Sequence, residues 1–241
     1  MKNYFGKEIA ERYDDDQQMY EPNALNYAVE FLAKLANGGD ALEFGVGTGR
    51  IALPLSQKGI KVQGIDLSPD MIAQLQSKPG ADAIGITIGN FSETKVSERF
   101  QLVFLVFNTI TNLTTQDEQV DCFCNAAAHL ETGGCFVIET FIPELRLLPS
   151  GETIRPHQFN QFGFDFDEYN VATQELVSYH YINVDGAFKG HSLPFRYVWP
   201  AELDLMARIA GMKLRERWSD WNRQPFTNES VSHISVWEKC S

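Results

Sequence analysis

Residues 41–52 of the chain read ALEFGVGTGRIA, a short apolar run followed by a glycine-rich turn and the start of a helical pattern. The run Ala41–Phe44 predicts a buried β-strand. Three glycines at alternate positions then predict a tight turn whose backbone can come within contact distance of a ligand. Because ligands in open α/β sheets bind at the carboxyl ends of the strands, this stretch predicts both the fold class and the place of a binding site.

Apolar runs and helical patterns alternate further along the chain. Additional buried strands are predicted at residues 62–66, 83–88, 102–107 and 136–140. The helices between them have recognisable starts, with an N-cap at Ser68 followed by Pro69 and a capping-box spacing from Thr115 to Glu118. This alternation is typical of a parallel sheet covered by helices on both faces.

The pattern changes after residue 140. Two β-rich segments, 174–184 and 187–199, are joined by the hairpin signal Asp185-Gly186. The remaining predicted elements are helices at 7–13, 23–35 and 201–210 and closing strands at 212–218 and 232–238. We therefore predict one domain over residues 1–241, in which residues 141–199 form an antiparallel β-rich insertion that acts as a lid and helps to bind substrate.

Composition and charge argue against several classes of function. The 241 residues are 44% apolar and 12% aromatic, enough for a full core, and the formal net charge is −12. An acidic chain without runs of Lys and Arg is expected to bind neither nucleic acid nor an anionic membrane. The start of the chain lacks the apolar core of a secretory signal and no apolar run is long enough to cross a bilayer, so we expect a cytoplasmic protein. Four cysteines without a C-x-x-C pair indicate reduced thiols rather than a metal site.

The glycine spacing and a nearby acid distinguish between possible ligands. The dinucleotide fingerprint requires G-x-G-x-x-G, whereas here the glycines are Gly45, Gly47 and Gly49. Glu43 lies where a dinucleotide would place its pyrophosphate, and two unit charges ~4 Å apart at an effective dielectric constant of ~20 interact by roughly 4 kcal/mol. The loop therefore favours a cationic ligand, and S-adenosylmethionine, which carries a sulfonium and an ammonium group and no phosphate, fits it. Asp66, at the end of the next predicted strand, can accept hydrogen bonds from both ribose hydroxyls.

Four stretches together resemble the class I S-adenosylmethionine-dependent methyltransferases. They are the glycine loop preceded by Glu43, residues 64–71 (GIDLSPDM), residues 89–91 (GNF) and residues 130–134 (LETGG). The resemblance implies a Rossmann-like α/β fold with a seven-stranded sheet of order 3-2-1-4-5-7-6, in which strand 7 is antiparallel. It also implies methyl transfer with S-adenosylmethionine as the donor.

The same resemblance assigns the cofactor contacts. Glu43 and residues 45–49 would hold the methionine and ribose portions, and Asp66 would bind the ribose. Residues following the second and third strands would surround the adenine, and those following the fourth would lie beside the methionine end. The predicted cofactor-binding residues are Glu43, Gly45, Gly47, Thr48, Gly49, Asp66, Leu67, Met71, Gly89, Asn90, Phe91, Phe107 and Asn108. Members of the family often have aspartate where this chain has Asn90, whose amide oxygen accepts a hydrogen bond without a full charge.

The sequence is less specific about the methyl acceptor than about the cofactor. Methyl transfer from a sulfonium needs orientation and desolvation rather than a covalent residue. An amine acceptor must lose its ammonium proton, and a hydroxyl acceptor needs a positioned general base. The candidates are Tyr13, His157, Tyr179, His180 and His191, of which Tyr13, His180 and His191 are predicted as catalytic. Side chains alternate along a strand, so Tyr179 and His180 face opposite sides and at most one lines a pocket.

These observations predict a methyltransferase that acts on nitrogen or oxygen of a small molecule, as a monomer or homodimer. The insertion supports this prediction, because its aromatic residues at 162, 164 and 166 alternate with acidic ones at 165 and 167. Two alternatives remain open at this point. One is a non-catalytic, regulatory module that binds S-adenosylmethionine, and the less favoured one is a nicotinamide-dependent oxidoreductase.

Overall fold

The computed structural model describes residues 2–14 and 22–240 of the chain. Its strands are β1 (Ala41–Phe44), β2 (Val62–Asp66), β3 (Gly85–Ile88), β4 (Phe100–Leu105), β5 (Leu130–Phe141), β6 (Ile154–Asn160), β7 (Gly163–Asn170), β8 (Glu175–Val184), β9 (Ala187–Arg196), β10 (Met212–Trp218) and β11 (Ser232–Lys239). Its α-helices are α1 (Lys7–Arg12), α2 (Pro22–Ala36), α3 (Ala52–Gln57), α4 (Pro69–Gln76), α5 (Gln116–His129) and α6 (Pro200–Ile209). Within these described ranges, no helix is long and apolar enough to cross a membrane.

Seven strands form the larger sheet, in the order β3-β2-β1-β4-β5-β11-β10. β1 pairs in parallel with β2 and β4, and β11 runs antiparallel between β5 and β10. With β10 and β11 counted as the sixth and seventh strands, this is the order 3-2-1-4-5-7-6. The predicted fold class, a Rossmann-like methyltransferase sheet with its last strand antiparallel, is therefore confirmed.

Both faces of the larger sheet are buried, which explains why its central strands read as continuous apolar runs. Ala41 packs with the layer that contains α2, α3 and α4, whereas Leu42 packs with the layer that contains α5 and α6. Neither side chain is exposed to solvent. Each fully buried aliphatic side chain contributes about 1.5–3 kcal/mol, so the core holds the carboxyl ends of β1, β2 and β4 in place.

The helix starts follow the capping signals of the sequence. The Ser68 hydroxyl accepts a hydrogen bond from the N–H of Met71 at 3.2 Å, and Thr115 and Glu118 form the complete capping box. Several predicted strand boundaries were wrong: β3 begins at Gly85 rather than at residue 83, and β5 begins at Leu130 rather than at residue 136. The strand predicted at 102–107 ends at Leu105, because Phe107 and Asn108 adopt left-handed backbone conformations with φ of +54° and +60°.

The smaller sheet is antiparallel and has the order β6-β7-β8-β9. The β8–β9 hairpin turns at Asp185 and Gly186, both with positive φ, as the sequence predicts. A buried network ties the end of this sheet to the helices. Arg196 pairs with Glu202 of α6 at 2.8 Å, and its guanidinium donates to Gln119 of α5. Together these contacts hold one face of the smaller sheet over the carboxyl ends of the larger one.

Candidate active site

A cavity of about 1190 Å³ lies between the two sheets. Its floor is formed by the loops after β1, β2 and β4, one wall by the N-terminal segment, and its roof by one face of the smaller sheet. A much smaller cavity of about 30 Å³ adjoins it beneath the glycine loop. Ligand sites typically occupy ~300–1,000 Å³, so the large cavity has room for two small molecules side by side.

The glycine loop after β1 contacts the cavity through its backbone. Gly47 has φ of +53° and lines both cavities, and a Cβ at this position would lie 3.3 Å from the Met71 side chain. Gly49 has a different reason to be glycine, since a Cβ there would lie 2.2 Å from Leu75 of α4. Gly49 therefore allows close packing of the loop on α4, whereas Gly47 faces the cavity.

Asp66 ends β2 and lines the large cavity. Its two carboxylate oxygens accept hydrogen bonds from the N–H groups of Gly47, at 2.7 Å, and Ser68, at 2.8 Å. Burial raises the pKa of Asp66, and the backbone N–H groups of Ser68, Gly47 and Leu67 oppose that shift. A carboxylate has about four lone-pair positions, so this one can still accept from a ligand hydroxyl.

Glu43 is 4% exposed and lines the small cavity. Its Oε2 has no hydrogen-bond partner among the residues that the structure describes. Burial raises the pKa of Glu43 well above its usual range, and Asp66 raises it further, while the Ala52 N–H and Arg50 act in the opposite direction. These surroundings thus favour the neutral carboxyl, and a cationic group placed beside Oε2 would stabilise the carboxylate.

The N-terminal segment closes one side of the site. The Arg50 guanidinium lies between two aromatic rings. It is 5.1 Å from the ring centre of Tyr13, at the end of α1, and 4.5 Å from the ring centre of Phe107. Asp14 then binds the glycine loop and the segment that follows α4, accepting from the Thr48 hydroxyl at 2.7 Å and pairing with Lys78 at 2.5 Å. Burial raises the pKa of Tyr13, so its phenol is protonated at neutral pH.

A partly buried acid that the sequence analysis did not single out shapes the loop after β4. Glu139, on β5, accepts from the Phe107 N–H at 3.0 Å and from the Trp221 indole at 2.8 Å. Asn108 accepts from the Phe141 N–H at 2.8 Å through its side-chain oxygen. These bonds stabilise two consecutive left-handed residues at the cavity wall. The sequence offered one signal for this role, namely a glutamate inside the otherwise apolar run of β5.

The loop after β3 contributes less than the resemblance implies. Phe91 lines the cavity and stacks on Phe44, with ring centres 5.8 Å apart. Asn90 does not line it, because its side chain binds locally to the Ser92 N–H at 3.1 Å and to Glu93 at 3.0 Å. Gly89 also lies outside the cavity lining, and a Cβ there would meet Thr94 at 2.2 Å.

The roof carries imidazoles and carboxylates. His180 contacts Asp165 at 3.3 Å through Nδ1 and Ser178 at 3.1 Å through Nε2, and its ring stacks on His191 with centres 5.1 Å apart. Tyr179 points to the opposite face of the sheet and stacks on Phe166 at 4.7 Å. The expected alternation is therefore observed, and His180 is the member of the pair that lines the cavity.

The structure thus brings most of the predicted site residues to the two adjoining cavities. They are Tyr13, Glu43, Gly45, Gly47, Thr48, Asp66, Leu67, Met71, Phe91, Phe107, Asn108, His180 and His191. Gly49, Gly89 and Asn90 lie outside both linings. Within the described part of the chain, no cluster of three or more His, Cys, Asp or Glu side chains has the arrangement of a metal site.

Comparisons with known proteins agree with this geometry. Residues 41–134 match the model of a family described as a methyltransferase domain. The solved structure of the CcbJ methyltransferase from Streptomyces caelestis is 33% identical to the chain, with 98% of each chain covered and a TM-score of 0.87. A cypemycin N-terminal methyltransferase from a Streptomyces species is 24% identical over 234 residues, 95% of each chain. The structure of an S-adenosylmethionine-dependent methyltransferase from Clostridium acetobutylicum shares the fold at 13% identity, with a TM-score of 0.76 over 95% of this chain and 99% of that one.

Proposed function

Because the chain belongs to the class I S-adenosylmethionine-dependent methyltransferases, we propose that it methylates nitrogen or oxygen of a small molecule, and that an amine nitrogen is the preferred atom. The observation that carries this proposal is the cavity between the two sheets, whose volume of about 1190 Å³ exceeds what one ligand needs. The cofactor would occupy the floor and the acceptor the space beneath the roof.

The residues of the floor suit the cofactor. When bound, S-adenosylmethionine supplies a methyl group activated on a sulfonium. The Oε2 of Glu43, which has no hydrogen-bond partner within the described ranges, suits a cationic group of the donor, and Asp66 suits the ribose hydroxyls. Gly47 lets the donor approach the backbone, and Leu67 and Met71 offer apolar contacts to an adenine ring. The family likeness and the charge of these groups both support this assignment.

The roof suits an amine. Asp167 lines the cavity, Asp165 lies on the same face of β7 outside the lining, and each is in contact with a histidine that lines the cavity. A carboxylate beside an imidazole stabilises a cation, so an acceptor that arrives as an ammonium ion would be attracted. The named activity of one relative, an N-terminal methyltransferase, is consistent with this choice.

We regard residues 1–241 as one methyltransferase domain in which residues 141–199 serve as the substrate-binding lid. Tyr13 would contact the acceptor from the N-terminal side, since its side chain lines both cavities. We expect the reaction to take place in the cytoplasm.

A methylation assay tests the proposal. The protein is incubated with S-adenosylmethionine and a panel of cyclic and linear amines, each paired with the alcohol of the same skeleton, such as cyclohexylamine and cyclohexanol. Mass spectrometry should detect a methylated amine together with an equal amount of S-adenosylhomocysteine. The Gly47→Val variant is the control and should give no product.

Two results would contradict the proposal. Methylation of alcohols but not of amines would refute the preference for nitrogen. Tight binding of S-adenosylhomocysteine without methylation of any panel member would favour the regulatory-module alternative.

A further inference from the structure

His157 and Asp167 form a hydrogen-bonded pair in the roof that is separate from the His180 cluster. Nε2 of His157, on β6, lies 2.9 Å from Oδ2 of Asp167, on β7. A register shift in β6 next to Pro156 brings the imidazole opposite this carboxylate. Both side chains line the large cavity. The Asp167 side chain is 14% exposed and that of His157 is 38% exposed, so the carboxylate is largely covered while the ring meets the cavity.

The two ring nitrogens of His157 are in different situations. Nε2 contacts the carboxylate, whereas Nδ1 has no hydrogen-bond partner among the residues described by the structure. The hydrogen bond made by one imidazole nitrogen determines where the proton lies, and a carboxylate acceptor places it on Nε2. Nδ1 is then left with a lone pair that can accept a proton.

His180 differs in this respect. Its Nδ1 faces Asp165 and its Nε2 faces the Ser178 hydroxyl, so each nitrogen already has a neighbour within hydrogen-bond distance. An imidazole in that state must first give up a contact before it can accept a proton from a ligand. The geometry therefore favours His157 over His180 as the proton acceptor of the roof.

We propose that His157, oriented by Asp167, is the general base that removes a proton from the ammonium group of the acceptor, an inference that rests on the proposed N-methylation. In this step an N–H bond of the acceptor breaks, its electron pair remains on nitrogen as the lone pair needed for attack, and a new N–H bond forms at Nδ1. The imidazolium is stabilised by the Asp167 carboxylate. Its proton later leaves to solvent through the exposed part of the ring.

Nuclear magnetic resonance of ¹⁵N-histidine-labelled protein tests the orientation without requiring turnover. In the complex with S-adenosylhomocysteine at pH 8, long-range ¹H–¹⁵N spectra should show His157 as the neutral tautomer protonated at Nε2, with the signal assigned by its loss in His157→Gln. Asp167→Asn should shift the proton to Nδ1, because the amide can donate to Nε2. Glu168→Gln is the matched control on the outer face of β7 and should leave the tautomer unchanged.

Turnover on the amine that the wild-type protein methylates fastest in the panel tests the role. His157→Gln and Asp167→Asn should lower kcat by about 100-fold or more, whereas Glu168→Gln should stay within twofold. The affinity of His157→Gln for S-adenosylhomocysteine should stay within twofold, which also shows that the variant is folded. The loss should shrink as pH rises, because water then deprotonates a growing share of the amine.

The inference and the function on which it rests fail in different ways. A proton on Nδ1 or a doubly protonated His157 ring at pH 8 in the wild-type protein would overturn the inference, as would full turnover by His157→Gln. Methylation of the alcohols alone would instead refute N-methylation itself, whatever the tautomer of His157.

Discussion

Replacing Glu43 by glutamine should remove the pH dependence from cofactor binding. Burial and the neighbouring Asp66 raise the pKa of Glu43 and favour the neutral carboxyl. A bound cationic group favours the carboxylate. Binding therefore releases one proton from Glu43 at any pH at which the neutral carboxyl predominates in the free protein. The association constant should therefore increase as pH rises toward the raised pKa and level off above it.

The magnitude follows from the release of a single proton. Below the raised pKa, one proton released per ligand changes the association constant tenfold per pH unit, or about 1.4 kcal/mol. Glu43→Gln has no proton to release at this position and should show a flat profile. Glu30→Gln is the matched control, since it removes one exposed carboxylate, paired with Lys58, that lies outside both cavity linings.

Isothermal titration calorimetry with S-adenosylmethionine, which carries both cationic groups, measures the pH profile of binding and the number of protons released. Affinities are determined between pH 5.5 and 8, and each titration is repeated in two buffers that differ in ionisation enthalpy. Wild-type protein and Glu30→Gln should show a buffer-dependent enthalpy that Glu43→Gln lacks. An unchanged slope and unchanged proton release in Glu43→Gln would refute the argument and point to Asp66, whose pKa burial also raises.

Four further substitutions test separate contacts. Asp66→Ala should cost ~1.5–3 kcal/mol of cofactor affinity, because it removes a charged hydrogen-bond acceptor, and calorimetry showing wild-type affinity would reject the contact. Gly47→Val should abolish binding with a circular dichroism spectrum close to wild type, since a β-branched residue is strained at positive φ; retained binding would mean that the loop does not touch the ligand. Tyr13→Phe should lower turnover with little change in cofactor affinity, and unaltered turnover would remove the hydroxyl from the reaction. Glu139→Gln should lower unfolding free energy by about 1–3 kcal/mol, because one amide oxygen replaces two carboxylate oxygens for the Phe107 and indole donors; unchanged denaturant midpoints would argue against this support.

The central strands of the larger sheet were predictable, because their apolar sequences and the turn residues that end them agree with their burial in the structure. β1 and β2 have the predicted bounds, since each is an apolar run that a glycine loop or an aspartate terminates. The β6–β7 hairpin was not predicted, because β6 contains Pro156 and its side chains are mostly exposed, which weakens the alternation. Its pairing is decided by the neighbouring strand rather than by its own sequence.

The candidate site was predictable where motif and strand end coincide, as at Asp66. It was not predictable where a side chain had a local alternative, as at Asn90, whose amide binds the turn that follows it. Pairs formed across strands, such as His157 with Asp167, depend on a register that no local pattern specifies.

The contacts of Asp14 with Thr48 and Lys78 have a kinetic consequence. They hold the N-terminal segment against the glycine loop, so this segment covers a nucleoside that lies on the loop. The space for the acceptor is bounded instead by the smaller sheet. Turnover should then follow a compulsory order in which the donor enters first and its demethylated form departs last. In initial-rate measurements, S-adenosylhomocysteine should then inhibit competitively with respect to S-adenosylmethionine but not with respect to the acceptor.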